Sequence, residues 1–378
     1  MPPKTVGQLA NALLVFADVV DSSKYSAVLG FQEYADRLLR YQETFKELGR
    51  RYFRDVEDKA LARSFVDARG DEGIVFFVAS QSNQAELVLR AVEFLYHLKG
   101  VLRFGAESGD GEPRAPRRLG IGAGIHIGLV ACTLDIEDTH SVIAGLEGFA
   151  INYAKRVESC SREGRHSRIL LSSDAARVLQ FEPVILSSIR AGMKGIDDDV
   201  QLYEVQSGLF DRLELRSNDP ADEHMIRNVC DLADAPGRID EPWVKAFTVS
   251  LLERLCTLTH IQEEKARYRD LQHKLAWHST NEDDPILLFL RSRQYRDHGA
   301  HTQEIRYLKH IVDNHPGFVH ARLAMIKACW ALAKSKAERS ELVYARDMAQ
   351  EFLEHFSGFL TGSEKREFSR FISGKPRR

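Results

Sequence analysis

No run of apolar residues in this chain of 378 approaches the ~20 needed to span a bilayer, so a membrane protein is not expected. The N-terminus, M-P-P-K-T, lacks a basic region followed by an apolar core, so a secretory leader is not expected either. Cysteine is sparse: Cys132, Cys160, Cys230, Cys256 and Cys329 lie far apart with no C-x-x-C pair, which speaks against a zinc cluster and a disulfide framework. An excess of one charge is missing as well. Lys and Arg total 52 against 55 acids, a net charge of -3, with no global attraction to nucleic acid or anionic lipid. These absences imply a soluble, cytoplasmic protein with reduced thiols that binds neither nucleic acid nor membrane.

The length exceeds one ordinary domain of roughly 100 to 200 residues, so two are expected. Near the start, L-V-F-A-D-V-V-D-S-S (Leu14 to Ser23) reads as a strand that delivers Asp18 to a polar turn. Phe31, Tyr34, Leu38, Tyr41, Phe45, Leu48 and Tyr52 then recur at spacings of three and four, one face of an amphipathic helix. Ser64 to Ser80 carries two strand-like runs separated by R-G-D-E-G, a hairpin with Asp71 in its turn. A second helix bears Leu87, Ala91, Phe94 and Leu98, and Arg103 to Arg118 reads as a mobile loop. In L-G-I-G-A-G-I-H-I-G, apolar residues alternate with glycines, so this strand has a bare face that another backbone or a partner chain approaches closely.

After a polar loop, Glu147 to Cys160 reads as a helix with Asn152 and Arg156 on one face. Strands at Arg168 to Leu171 and Val200 to Val205, with a short helix between, end an α+β sandwich over residues 1–206 with helices on one sheet face. Residues 207–242 read as a polar, acidic linker and 243–378 as all-helical. Segments around Tyr307 to Phe318 and Tyr344 to Phe359 resemble each other at an offset of about forty residues, which fits a tetratricopeptide-like array or a helical bundle without repeats.

Asp18 and Asp71 are the carboxylates that strand, helix and hairpin in this order can bring together, and hard cations such as magnesium or manganese prefer oxygen ligands. In order, F-A-D-V-V-D-S-S, R-G-D-E-G, L-G-I-G-A-G-I-H-I-G, E-G-F-A-I-N-Y-A-K-R-V-E and G-M-K-G-I resemble the catalytic domain of class III nucleotide cyclases over roughly residues 10 to 206. The resemblance implies a ferredoxin-like sheet domain acting as a homodimer with shared sites, the second chain covering the open sheet face and glycine-rich strand. It implies two divalent cations, manganese or magnesium, held by Asp18, Asp71 and the carbonyl of Val19. Ser22 and Ser23 would contact the β- and γ-phosphates, Lys194 would bind the triphosphate, and Asn152 and Arg156 would position the ribose and stabilise the transition state.

Where purine-specific members carry their base-reading residues, this chain has Asp67 and Gly145. Asp67 cannot donate to adenine N1, and Gly145 cannot accept from its amino group. Asp67 with Arg69 offers an acceptor beside a donor, which suits uracil or cytosine; guanine stays open. With the helical tail, this is similar to the pyrimidine cyclases of bacterial Pycsar antiphage defence, which implies conversion of UTP to cyclic UMP as a signal for a separate effector. The alternatives are a cytidylate or guanylate cyclase, or an inactive cyclase-like interaction protein. Asp21 stands where a turn glycine is usual, either beside the metals or turned to solvent.

Overall fold

A computed structural model describes residues 4–53, 64–80, 82–105, 120–137, 140–179, 184–196, 199–210, 212–239, 241–278, 283–336, 339–356, 360 and 362–373. Met1–Gln180 with Leu186–Arg269 form one compact unit, and Phe181–Ile185 with Asp270–Arg378 another. The first is α+β and the second is helical, the order of classes that the sequence implies.

Strand β1 (Lys4–Val19) is the pivot of the sheet. Its residues Ala12 to Ala17 are buried on both faces, as expected of a central strand covered on two sides. It lies between β3 (Glu72–Val78) and β4 (Ile121–Glu137), and β2 (Ser64–Arg69) pairs with β3 at the edge. The spatial order β2-β3-β1-β4 is that of a ferredoxin-like sheet. Beyond β4 follow β6 (Ile169–Ser172), which leads into short α5 (Ser173–Val178), then β8 (Val200–Gly208) and β7 (Val184–Ala191), while β5 (His140–Glu147) also pairs with β4. β4 and β6 run parallel, and β1 is antiparallel to both of its neighbours.

Helices α2 (Phe31–Phe53) and α3 (Gln84–Phe104) cover one face. There Phe45 sits so close to the sheet that a Cβ on Gly73 would stand 2.4 Å from its ring. Short α1 (Ser22–Leu29) connects β1 to α2. On the other face, α4 (Phe149–Ser159) lies directly on the glycine-bearing strand: a Cβ on Gly124 would stand 2.2 Å from the backbone nitrogen of Glu158. The bare strand face is thus closed by a helix of the same chain, which corrects the expectation that a second chain covers it.

Other stretches differ from their sequence reading. The expected polar loop before α4 is a β4–β5 hairpin, whose inward residues Val130 and Cys132 alternate with exposed Leu129 and Ala131. β7 was not expected from the sequence, because V-I-L-S-S-I-R-A mixes apolar and polar residues without strict alternation. Between residues 207 and 242 the chain forms α6 (Pro220–Asp234), with Asp219 as N-cap and proline in the first turn. Residues 106–119, most of the stretch read as a loop, lie outside the described residues. After α7 (Pro242–Leu258) and α8 (Gln262–His278), the second unit runs through α9 (Pro285–Asp297), α10 (His301–Asn314), α11 (Val319–Lys336), α12 (Arg339–Phe356) and α13 (Gly362–Ile372), each packed on the next. The two similar segments fall on α10 and α12; residues 357–359 of the second lie outside the described residues. All five cysteines are buried and free. Among the described residues no helix is long and apolar enough to cross a membrane.

A buried polar network ties α6 to α2 and α3. Asp222 accepts from Arg51 Nη1 at 2.8 Å, from His97 Nε2 at 3.0 Å and from the Arg216 backbone at 2.9 Å. Tyr52 Oη lies 3.1 Å from His97 Nδ1 and accepts from the Glu214 backbone. Burial opposes ionisation of Asp222, but His97, the Arg216 N–H and Arg51 outweigh it and hold the carboxyl below its usual range. Its contribution to stability is therefore present above the unfolded value of about 4 and lost as pH falls through the lower folded value. Asp222→Ala should cost about 3–5 kcal/mol in urea unfolding at pH 7, because it strands a buried arginine. The deficit of Asp222→Asn should shrink as the pH is taken below about 4.

Candidate functional site

The C-terminal end of β1 gathers the first group. Register places Asp18 opposite Glu72 on β3 and opposite Gly122 on β4, so these positions share a sheet face. The two-residue turn of the β2–β3 hairpin, opened by Gly70 at φ +58°, holds Asp71 against the same end of β1. Val19 N donates to the Asp71 carbonyl at 3.0 Å, and Ser22 Oγ donates to the Asp71 carboxylate at 2.6 Å. Burial raises the Asp18 carboxyl above its usual range, the charge of Asp71 raises it further and Glu72 adds to this, while Lys155 and the Val19 N–H oppose them. On the far face, buried Tyr41 donates to the carbonyl of Ala17 at 2.9 Å, pinning α2 next to Asp18.

A half-buried carboxyl crowded by a second one fits a divalent cation, whose charge would offset both desolvation and repulsion. Among the described residues no group of three or more His, Cys, Asp or Glu is arranged to hold a metal ion. Ligands beyond Asp18 and Asp71 would therefore include backbone oxygen, and Val19 is the residue between Asp18 and the turn.

Asp21 takes the left-handed conformation, φ 58° and ψ 30°, that an Asp tolerates at a turn. Its carboxylate accepts from Lys24 at 3.0 Å, which holds it below its usual range, so this charge is directed along α1. The Asp21 carbonyl accepts from the amides of Lys24 and Tyr25. The amides of Ser22 and Ser23 precede these first helical bonds and sit where an anion is favoured.

A second group sits on α4 and the turn after β7. Arg156 lies against the Lys194–Gly195 turn: a Cβ on Gly195, at φ +76°, would stand 3.5 Å from Arg156 Nη2. Asn152 and Lys194 are exposed. The charges that act most on Asp18 are those of Asp71, Lys155 and Glu72, not that of Arg156. Contacts thus join Asp71 with Ser22 beside Asp18, and Arg156 with the Lys194–Gly195 turn.

Asp67 and Arg69 share one face of edge strand β2, in register with Ile74 and Glu72. Asp71 does not continue their alternation, since it lies in the turn. Arg69 Nε donates to Asp67 at 2.8 Å, and Lys46 of α2 bonds the other oxygen at 3.1 Å. The Arg69 side chain is 88% exposed beyond that pair. Gly145, on β5, has no steric need to be glycine: a Cβ there would meet Thr133 at an ordinary 3.6 Å.

Lys155 was not singled out from the sequence. It bridges Glu72 at 2.7 Å and Glu158 at 3.2 Å and stands 5.8 Å above the Phe16 ring, the nearest cation influence on Asp18. Its signal was its place beside Arg156 in N-Y-A-K-R, which points it to the sheet instead of to the β7 turn. His126, by contrast, is buried against Ser172 and pushed down to about 4 by burial, so it is neutral and structural.

Because the folded Asp18 carboxyl is raised, its ionisation costs nothing below about pH 4 and weakens the fold as pH rises through the folded value. In chelator, Asp18→Asn should raise the unfolding free energy from urea titration at pH 7, by under about 1 kcal/mol for a half-exposed group, and the gain should vanish near pH 4.

No family model matches the chain, and no curated protein matches it. Similar solved structures include the adenylyl cyclase CyaB from P. aeruginosa, 20% identical over 56% of this chain and 100% of that one, with a TM-score of 0.41. A bacterial light-regulated adenylyl cyclase is 16% identical over 58% of this chain and 98% of that one, TM-score 0.40. The guanylyl cyclase Cya2 is 18% identical over 54% and 94%, TM-score 0.35.

Proposed function

We propose that the chain is a class III-type nucleotide cyclase that converts UTP to 3',5'-cyclic UMP and pyrophosphate in a homodimer with shared sites. The observation that carries this reading is the junction of Asp18, Asp71 and Ser22 at the end of β1, with Arg156 set against the Lys194–Gly195 turn as a second group. Two such groups on one chain are complementary halves, and a two-fold axis sets each half against the other half of a second chain.

In the reaction, a bond forms between the ribose 3'-oxygen and the α-phosphorus as the bond to the β-phosphate bridging oxygen breaks. The hydroxyl loses its proton and pyrophosphate leaves. Asp18 and Asp71, with the Val19 carbonyl, would hold manganese or magnesium, which when bound supplies positive charge to the phosphates and activates the hydroxyl. The amides of Ser22 and Ser23 and the Lys194 ammonium bind the β- and γ-phosphates. Asn152 orients the ribose, and Arg156 meets the charge that builds on the α-phosphoryl oxygens.

Asp67 and Arg69 read the base. The ionised Asp67, held below its usual range by Lys46 and Arg69 against its own desolvation, accepts from uracil N3–H. Arg69 donates to a flanking carbonyl. Cyclic UMP then serves as a diffusible signal for a separate effector, the arrangement that the resemblance to antiphage pyrimidine cyclases implies.

Incubation with each of the four nucleoside triphosphates and manganese, read by mass spectrometry, should yield cyclic UMP as the main product; cyclic AMP or cyclic GMP alone would overturn the pyrimidine assignment. Arg156→Ala should lower kcat about 10²–10³-fold. Asp71→Ala should abolish turnover and leave the dimer intact. An equimolar mixture of the two variants should regain roughly a quarter of wild-type activity, because half the dimers then hold one complete site. Failure to complement would show that each chain works alone.

A further inference from the structure

Next to the β1–α1 turn that carries Ser22 and Ser23, the first unit contains a cavity of about 640 Å³ whose cationic residues have no role in the proposed reaction. Its walls come from the β1–α1 turn, the end of α3, residues 164–168 and the start of α7. The lining is cationic. Lys99, Arg103, Arg165 and Arg168 face it, against the carboxylates of Asp21 and Glu241. Both carboxylates are already engaged, Asp21 with Lys24 and Glu241 with Arg103 and the Trp243 indole. Arg165 and Arg168 have no carboxylate at ion-pair distance among the described residues, and Arg103 Nε is buried there without a hydrogen-bond partner.

The cavity wall is built, not incidental. Buried Glu204 accepts from the backbone amides of Arg165, His166 and Arg168 at 2.8–2.9 Å, which fixes the loop that carries the arginines. Arg168 is held at φ +60°, a conformation that a non-glycine residue adopts only under constraint. Lys99 donates to the carbonyls of Ile121 and Ser167 at 3.1 and 2.8 Å and stands 4.7 Å over the Trp243 ring. Burial pulls its ammonium down to about 7, Glu241 opposes this, and Arg168 and Arg103 reinforce it, so the charge on Lys99 is held at a cost beside the two arginines.

We infer that this cavity binds a bare di- or triphosphate through Lys99, Arg103, Arg165 and Arg168. An anion relieves the repulsion of Lys99, Arg165 and Arg168, which no carboxylate of the lining pairs, and meets the free Nε of Arg103; guanidinium forks suit phosphate oxygens. The volume lies within the range of small-ligand sites. Trp243 is buried, with Lys99 and Arg103 over its ring, so the indole is not open to stack on a nucleobase. The ligand is therefore an inorganic phosphate chain and not a nucleoside.

Calorimetric titration of the full chain with inorganic pyrophosphate, in chelator and without divalent metal, should show saturable binding accompanied by a change in tryptophan fluorescence that Trp243→Phe removes. Arg165→Ala with Arg168→Asn, which keeps a residue suited to the left-handed backbone, should weaken binding at least tenfold at an unchanged melting temperature. Arg165→Glu alone, at an exposed position, should also weaken it. Arg156→Ala with Lys194→Ala should leave the affinity as it was; loss there would move the bound pyrophosphate to the proposed catalytic groups and overturn the assignment. No binding, an unaffected arginine double variant, or equal affinity for UMP would overturn it as well.

Discussion

The contact of α4 with β4 at Gly124 sets the height of everything on that face of the sheet. With no side chain at residue 124, the helix backbone comes down until the nitrogen of Glu158 occupies the place of a Cβ. Gly122 does the same for Ser161 just beyond the helix. A helix seated this low aims Lys155 between Glu72 and Glu158, beside Asp18, and turns Arg156 one residue further round to the Lys194–Gly195 turn. Lifting α4 by one methyl group would separate both sets at once.

Charge is placed at the end of β1 against the interest of the fold. Asp18 sits half-buried within reach of Asp71 and Glu72, and Lys155 offsets only part of that repulsion. Such local instability is kept where a site needs it, and its removal stabilises at the expense of activity. Stability is supplied elsewhere, by the Tyr41 bond to the Ala17 carbonyl and by the Arg51, His97 and Asp222 network that fastens α6 behind α2 and α3. The segment that follows the sheet in sequence belongs to the same compact unit, and the start of α7, with Glu241 before it and Trp243 in its first turn, lines the cationic cavity.

Much of this was legible from the chain itself. Period-3.6 spacing marks α2, R-G-D-E-G marks the hairpin turn, and the glycines of β4 announce a close backbone approach. The β4–β5 hairpin and α6 were not legible: no Gly or Pro marks a turn between the two strands, and α6 lies in a largely polar stretch. A period-2 signal fades when one face of a strand is exposed and the other is small, as at Ala131 and Cys132. The signals that mark α6, an Asp-Pro start and a short apolar stripe, are weak in a polar stretch, and its buried Asp222 reads as surface until its partners are known.

By itself the sequence determined which groups are available: Asp18 at a strand end, Asp71 in a turn, Asn152 and Arg156 one helical turn apart, Asp67 two residues from Arg69. Local spacing is enough for that, because neighbours along a helix or strand are set by backbone geometry. Only the tertiary structure decided which of them meet. It joined Asp71 to Ser22 across 49 positions, directed Asp21 to Lys24, placed Lys155 beside Asp18, and set Arg156 against Gly195. It also brought Lys99, Arg168 and Trp243 to one cavity from three distant segments. Such meetings depend on sheet register and on how low a helix can sit, and both are properties of packing that no single stretch of sequence contains.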